Sequence, residues 1–386
     1  MRALLLILGL SACAAPDLSA AFLQVDLVLI PADDPVSVDE RFAAAIDKAR
    51  TSVHLAIPAG EDPTIAEAVL AAWDRGLEVK VVTDYDQATD PGIALLLEAG
   101  VPVTLADDGL SYFDFNVVND IAFSSEDTIM THALVVTDAK RALSATTAGW
   151  LTSGEVVLME LEGEDLIEDL LLEHNQVFGG ADAVATTAFD GLAKSIVDLR
   201  WRYPTQTDLD LELWFGPQER LVKRVIDAVY SARGSVHILT NNFTDEGLAA
   251  ALEDKAQYGF TVNVVVGPAF DAQNELLSRA LAVQTPNVSK FRHTLSDDMP
   301  TVVLIDYRDG LDGHRYTTRA FVLSHDLYNT SRNSGAVAAG EGLVGGVNDQ
   351  LLDGTLWQWV DYDEPSPEID ALYELWERHA ANSEVL

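Results

Sequence analysis

Apolar residues along this chain follow two alternating periods. Segments with apolar residues three and four positions apart, the spacing of one helix face, alternate with short β-branched runs that are typical of buried strands. One helical segment contains Phe42, Ala45, Ile46 and Ala49, and the strand after it spans residues 53–57. Strands that alternate with helices of this length predict β-α-β units, an α/β fold class and mixed, mostly parallel sheets.

The same order of elements occurs twice, at a constant offset. Residues 52–84 and 235–267 align without a gap, and both copies begin with Ser-Val-His. In each copy the second helix is followed by a glycine, Gly76 or Gly259, which is the residue preferred just after a helix C-terminus. A repeat of this length predicts two lobes of one architecture, related by internal duplication.

The repeat also sets the expected domain boundaries. We expect the first lobe to span residues 23–180 and the second lobe to span residues 207–386. The inter-lobe connection then covers residues 181–206.

The first residues have the pattern of an export signal. A basic start is followed by an apolar run that ends in Leu-Ser-Ala-Cys, with the cysteine at Cys13. The run is too short for a membrane-spanning helix, which needs about 20 residues, but it fits a signal peptide. The tetrad resembles the bacterial lipobox, which implies cleavage after residue 12, lipidation of Cys13 and a linker at residues 13–22. The alternative is an ordinary signal peptide with an incidental cysteine.

The amino-acid composition limits which classes of molecule the chain is expected to bind. The chain has 62 acidic residues against 24 Lys and Arg, a net charge of −38, yet 48% of its residues are hydrophobic, so it is not a disordered acidic chain. This charge excludes nucleic acid as an expected partner, because nucleic-acid binding needs a basic surface. It fits either a high-salt habitat or avoidance of polyanions. Cys13 is the only cysteine, so no disulfide forms within the chain.

The repeated segments resemble a known family. The sequences AAIDKARTSVHLAI and DPTIAEAVLAAWDRGLEVKVVTD are similar to the first repeat of bacterial members of the phospholipase D superfamily, and EHNQVFGG is similar to the helix end that closes their first lobe. The resemblance covers nearly the whole chain after the signal peptide. It implies two α/β/α sandwich lobes that face each other, with one active site in the cleft between them.

The resemblance also implies a site chemistry. In that family each lobe contributes His-x-Lys-x4-Asp and then a Gly-Ser-x-Asn-like turn. One histidine attacks phosphorus and the other protonates the leaving oxygen, while the lysine, serine and asparagine groups hold the phosphate oxygens. The resemblance therefore implies a phospholipid or another phosphodiester as the ligand class.

Both motifs are degenerate here. The positions of histidine, lysine and aspartate hold Thr131, Ala133 and Asp138 in the first lobe, and Met299, Thr301 and Asp306 in the second lobe. Only the two aspartates match the family. We therefore expect no intact catalytic residue, and a catalytically inactive protein that binds a ligand in the inter-lobe cleft.

Other polar residues near the motifs are candidate ligand-binding groups. They lie in the turns that follow the two motif strands: Thr147, Ser324, His325 and Asp326. Two alternatives stay open, an active phosphodiesterase that uses substituted residues, with His325 first, and a structural or protein-binding lipoprotein. His132 lies one residue from a motif position, and we interpret it as a structural or surface histidine because a one-residue shift reverses the face of a strand.

The remaining predictions concern location and cofactors. We find no zinc-ligand spacing and no glycine-rich phosphate loop, so we expect no metal and no cofactor. We expect a monomer that is exported and held by its lipid on the periplasmic or surface face of a membrane in the bacterial cell envelope.

Overall fold

A computed structural model describes most of the two predicted lobes. Cys13 and the rest of residues 1–22 lie outside the described residues, as does most of the predicted connection at 181–206. Among the described helices, none has the length and apolar character needed to cross a bilayer. The described ranges are 23–106, 129–150, 154–179, 202–204, 210–216, 221–243, 245–267, 288–293, 299–311, 314–327, 352–353, 355–362 and 365–385.

The described residues form seven α-helices and twenty strands. The helices are α1 (Val38–Lys48), α2 (Thr64–Asp74), α3 (Pro91–Glu98), α4 (Glu164–Phe178), α5 (Leu221–Ser231), α6 (Glu246–Gln257) and α7 (Pro367–Ala381). The strands are β1 (Gln24–Ile30), β2 (Ser52–Ile57), β3 (Glu78–Asp84), β4 (Val103–Ala106), β5 (Ile129–Met130), β6 (Ala133–Thr137), β7 (Arg141–Ala145), β8 (Val156–Glu162), β9 (Arg202–Pro204), β10 (Asp210–Phe215), β11 (Ser235–Thr240), β12 (Thr261–Val266), β13 (Val288–His293), β14 (Thr301–Ile305), β15 (Gly310–Leu311), β16 (His314–Arg315), β17 (Thr318–Leu323), β18 (Leu352–Asp353), β19 (Thr355–Asp361) and β20 (Ser383–Val385).

Local signals explain where several helices begin and end. Ser37 caps α1 in a capping box with Glu40, which satisfies backbone N–H groups at the helix start. Gly76 and Gly259, which follow α2 and α6, have φ angles of 81° and 83°. These left-handed conformations favour glycine and confirm the two predicted helix stops.

The first sheet has seven strands in the order β1-β8-β7-β6-β2-β3-β4. Its strands β2, β3 and β4 run parallel, and every other neighbouring pair is antiparallel. The α/β class and the mixed sheet are confirmed, but the expected predominance of parallel pairing is wrong. The reason is that β6, β7 and β8 follow one another through short connections, and such connections join antiparallel neighbours.

The second sheet repeats the first and extends it. Its order is β20-β13-β12-β11-β14-β17-β19-β10-β9, so seven of its nine strands match the seven strands of the first sheet in sequence and position. Helices α1 and α5 each have eleven residues and occupy the same place in the repeat. The internal duplication is therefore a property of the fold.

Three apolar cores hold the layers together. Helices α1, α2 and α3 cover the outer face of the first sheet, and α5 and α6 cover the outer face of the second sheet. A third core contains α4, α7 and the inner faces of both sheets, with side chains such as Leu134 from one lobe and Trp357 from the other. The two lobes therefore share a continuous apolar core.

Candidate functional site

The two motif aspartates occupy equivalent positions at the ends of β6 and β14. The Asp138 carboxylate accepts backbone N–H bonds from residues 50–52 at 2.7 to 3.2 Å. The Asp306 carboxylate accepts them from residues 233–235 at 2.6 to 3.2 Å. Both aspartates are left-handed, with φ of 55° and 56°. Each one ties the end of a motif strand to the turn before β2 or β11.

Hydrogen bonding also changes the acidity of the first of these aspartates. Burial acts to raise the pKa of Asp138, but the hydrogen bonds from Arg50, Thr51 and Ser52 outweigh it and lower that pKa. The carboxylate is therefore ionised at neutral pH, and it accepts hydrogen bonds from residues of the first lobe.

The first-lobe histidine position is bonded directly to the second lobe. Thr131 Oγ1 lies 2.9 Å from Ser324 Oγ. Ser324 belongs to the turn after β17, and its Oγ also accepts the backbone N–H of Thr355 at 2.9 Å. Two sequence-predicted site residues thus come together across the lobes, and they contact each other.

The second-lobe lysine position lies in a hydrogen-bond cluster around Asp326. The lysine position is Thr301, and its Oγ1 donates to Asp326 Oδ1 at 2.9 Å. The same Asp326 oxygen accepts bonds from Thr240 Oγ1 at 3.0 Å and from the Asn241 backbone N–H at 3.1 Å. Asp326 Oδ2 accepts a bond from Asn242 Nδ2 at 2.7 Å. Burial raises the pKa of Asp326, and these donors offset part of that effect. Thr301 and Asp326 are therefore brought together, as partners of each other.

The other predicted positions do not join this cluster through their side chains. Ala133 is buried in the outer core of the first lobe. Met299 is buried in the shared core, and its backbone N–H and C=O both bond to the side chain of Asn241 at 2.9 Å. Thr147 is half-buried in the turn after β7.

His132 forms buried polar contacts at the joint, where residues 131–132 of the first lobe meet Ser324 and Thr355 of the second lobe. Its Nδ1 lies 2.7 Å from Thr355 Oγ1 of the second lobe, and its Nε2 lies 3.5 Å from Glu173 Oε1 on α4. The side chains of His132 and Glu173 are only 2% and 3% exposed. His132 is therefore buried and does not lie at the surface. Sequence reasoning missed Glu173 and Thr355, although Glu173 lies in the family-like segment EHNQVFGG.

His325, the other candidate imidazole, is also buried. Its Nδ1 donates to the backbone oxygen of Asp326 at 2.7 Å, so Nδ1 carries the proton. Burial lowers the pKa of His325 to about 4, and His132 acts in the same direction. The imidazole is therefore neutral at pH 7, and the two histidines lie close enough to interact.

Two further histidines, His174 and His54, lie between the joint and the edge of the first lobe. His174 Nε2 donates to the Leu55 oxygen at 3.1 Å, and its ring centroid lies 5.3 Å from that of His54. His54 Nε2 lies 3.7 Å from Glu78 Oε1, which is at the exposed start of β3. Burial lowers the pKa of His174 to about 3, with His54, Lys80 and His132 acting the same way. The His174 imidazole is therefore neutral at pH 7, and the first-lobe motif positions Thr131 and Ala133 carry no basic side chain.

Comparison with solved structures identifies the fold. No family model matches the chain, and no curated protein matches it by sequence. Phosphatidylserine synthase from Haemophilus influenzae Rd KW20 matches with a TM-score of 0.56 at 12% identity, over 93% of this chain and 87% of that protein. Polyphosphate kinase from Porphyromonas gingivalis matches with a TM-score of 0.55 at 11% identity, over 92% of this chain. The chain spans only 50% of the length of that kinase.

A third match, Nuc from Salmonella typhimurium, a phospholipase D family member, has 18% identity over 41% of this chain, and its TM-score of 0.32 is too low to bear on the fold. Phosphatidylserine synthase and polyphosphate kinase, which both match more than 90% of this chain, are members of the phospholipase D superfamily. The chain therefore has the two-lobed fold of that superfamily.

Proposed function

We propose that this protein is an exported, lipid-anchored envelope protein that retains the phospholipase D fold without its phosphodiesterase chemistry, and that it acts by binding. The observation that carries the proposal is the contact between Thr131 and Ser324, which bonds the first-lobe histidine position to the second-lobe serine at 2.9 Å. The groups that would face a phosphodiester are thereby used to join the two lobes.

The chemistry of the replaced positions supports the loss of activity. Cleavage through a phosphohistidine requires an imidazole nucleophile, a proton donor for the leaving oxygen and fixed donors for the phosphate oxygens. Removing one such donor typically lowers kcat by about 10² to 10³. Here Thr131 and Met299 replace the histidines, while Ala133 and Thr301 replace the lysines. We therefore expect the rate of phosphodiester cleavage by this chain to equal the uncatalysed background rate.

Contacts across the joint favour a closed arrangement of the lobes. Trp357 Nε1 donates to Ser144 Oγ at 3.0 Å, and Glu155 bonds to both Arg378 and His379 of α7. A ligand in the inter-lobe cleft would have to separate Thr131 from Ser324. The expected binding at the cleft therefore stays a prediction, and the geometry favours a role at a lobe surface.

A second candidate function is phosphodiester hydrolysis by substituted residues. The observation in its favour is that His132, paired with Glu173, lies close enough to His325 to lower its pKa. A neutral imidazole beside a carboxylate-paired imidazole is a suitable nucleophile and acid pair. Their burial requires the lobes to open before a substrate can reach them.

Turnover measurements distinguish the two functions. The purified chain would be assayed against phosphatidylcholine, phosphatidylglycerol and a chromogenic phosphodiester, at low and high salt. We expect rates equal to the blank, and unchanged in His325→Gln and His132→Gln. Turnover that these two variants abolish, but that the control His237→Gln on β11 retains, would refute the inactive proposal. A trapped phosphohistidine would refute it as well.

The lipid anchor has a separate test. Mass spectrometry of the membrane fraction should find a diacylated N-terminal peptide that begins at Cys13, because the lipobox-like tetrad directs lipidation of that cysteine. Cys13→Ala should shift the protein to the soluble fraction. A membrane-bound Cys13→Ala variant, or an unmodified Cys13, would contradict the proposed anchor.

A further inference from the structure

A cavity of about 740 Å³ lies on the first lobe, away from the joint. It is bounded by α1, by the β6–β7 hairpin, and by β1 and β8. Five cationic side chains line it: Arg41, Lys48, Arg50, Lys140 and Arg141.

This clustering runs against the charge of the whole protein. The chain has only 24 Lys and Arg against 62 acidic residues, and five of those 24 converge on one cavity. At physiological ionic strength the screening length is about 8 Å, so a ligand inside the cavity responds to its lining more than to the distant acidic surface. The cavity is therefore a local site for anions on an acidic protein.

Four carboxylates also line the cavity, and three of them have partners. Asp138 is held by backbone N–H groups, as described above. Glu162 bonds to Arg141 at 2.7 Å, and Asp26 accepts a bond from Gln24 at 3.2 Å. Glu160 is the fourth. The described residues of the lining therefore carry a formal charge of five positive minus four negative, or +1.

Two of the five cations have carboxylate partners and three do not. Arg141 pairs with Glu162, and Arg41 lies 3.7 Å from Asp34. Within the described part of the chain, Lys48, Arg50 and Lys140 form no ion pair. Their side chains are exposed, so an anion that enters the cavity can recruit them without breaking an existing pair.

The second lobe provides an internal comparison. The corresponding cavity, between α5 and strands β10, β17 and β19, has about 340 Å³. By the offset of the repeat, Asp227 replaces Ala44 and Ser231 replaces Lys48. The described residues of this lining include two cations, Arg224 and Arg319, and two carboxylates, Glu212 and Asp227, so their formal charges balance.

The cations of this smaller cavity also have internal partners. Arg224 stacks on Trp214 at 3.0 Å from the ring centroid, and Arg319 donates to Ser231 at 3.0 Å. The fold thus forms a cavity in both lobes, but among the described residues only the first-lobe lining contains cations that bond to no other side chain, namely Lys48, Arg50 and Lys140. The positive charge is a feature of this site and not of the architecture.

We propose that the first-lobe cavity binds the phosphate group of a phosphate ester, either a soluble ester or a phospholipid headgroup. This deepens the proposed binding role and rests on it. Gln24 and Asp26 line the cavity and lie 11 and 13 residues after Cys13. An extended chain of 11 residues reaches at most about 40 Å, so the proposed anchor keeps the cavity near the membrane surface.

Calorimetric titration of the full chain with inorganic phosphate and with glycerol 3-phosphate tests the site. We expect saturable binding that weakens by about tenfold or more in the double variant Lys48→Gln/Lys140→Gln, because two charge-assisted contacts are lost. The matched control Lys223→Gln/Arg319→Gln removes the same charge near the second-lobe cavity and should leave affinity within about twofold. Near-UV circular dichroism verifies that both variants are folded.

Co-sedimentation with vesicles identifies the source of the phosphate. Phosphatidylglycerol vesicles are compared with phosphatidylcholine vesicles, using the same variants of a Cys13→Ser chain. If the chain binds only the soluble phosphates, the site is supported and its ligand is a soluble ester. If the chain also binds vesicles, and the Lys48→Gln/Lys140→Gln variant loses that binding, the site is supported and its ligand is a phospholipid headgroup. No saturable binding in either arm, or equal losses in both double variants, overturns it. Detectable phosphodiester turnover would overturn only the inactive proposal.

Discussion

Replacing Asp306 with alanine removes the carboxylate that ties β14 to the turn before β11. Three backbone N–H groups, from residues 233–235, then lose their acceptor. Hydrogen bonds to charged groups contribute about 1.5–3 kcal/mol each, which sets an upper limit of about 9 kcal/mol. Local relaxation and entry of water reduce this, so we expect a loss of about 3–5 kcal/mol in the free energy of unfolding.

The equivalent Asp138→Ala variant provides the matched comparison. Asp306 is buried, at 4% exposure, whereas Asp138 is half-buried and its donor Arg50 is exposed. Water can therefore replace the Asp138 carboxylate more easily, and we expect a loss of about 1–3 kcal/mol. Asparagine should be milder than alanine at either position, because it keeps one acceptor oxygen and tolerates a left-handed backbone.

Urea unfolding at pH 7, followed by tryptophan fluorescence and by circular dichroism, measures these losses. The midpoint should fall while the slope with urea stays constant, since the buried surface is unchanged. A loss below about 1 kcal/mol in the free energy of unfolding of Asp306→Ala would refute the idea that this carboxylate stabilises the link between β14 and the turn before β11. Such a small loss would mean that the three N–H groups find other acceptors. An Asp138→Ala loss as large as that of Asp306→Ala would refute the argument from burial.

Three other predictions follow from the joint and the turns. A double-mutant cycle of Thr131→Val and Ser324→Ala should give a coupling of about 0.5–1.5 kcal/mol in urea unfolding, and additive losses would show that the bond is not made. Burial lowers the pKa of His325 from 6.5 to about 4, so between these values the unfolded chain binds a proton that the folded chain does not. Wild-type stability should therefore fall as pH drops from 6.5 toward 4, and His325→Gln should flatten that fall; equal slopes would contradict it. Gly149→Ala, whose Cβ would lie 2.0 Å from the Ala59 oxygen, should lower the melting temperature well beyond Gly76→Ala, which meets open space, and equal shifts would be evidence against this packing.

The local elements of this fold could be read from the sequence. The helical segment that contains Phe42, Ala45 and Ile46 forms α1, and the strand predicted at residues 53–57 forms β2, because each has a local signal of apolar spacing, a cap or β-branched residues. The duplication was visible for the same reason, since two copies of one local pattern at a fixed offset need no tertiary information. The two motif aspartates identified through the resemblance, Asp138 and Asp306, directly follow equivalent strands in the structure.

Pairing direction and side-chain partners required the tertiary structure. The sequence favoured mostly parallel sheets, but the return of the chain through β6, β7 and β8 makes most pairs antiparallel. The contact of Thr131 with Ser324 joins residues 193 apart, and His132 meets Thr355 across 223 residues. Periodicity reports which face of an element is apolar, but it carries no information on which distant element covers that face. The sequence by itself therefore determined the two lobes and the loss of the motif residues, whereas only the packing of α4, α7 and both sheets into one core decided that the remaining polar groups hold the lobes together.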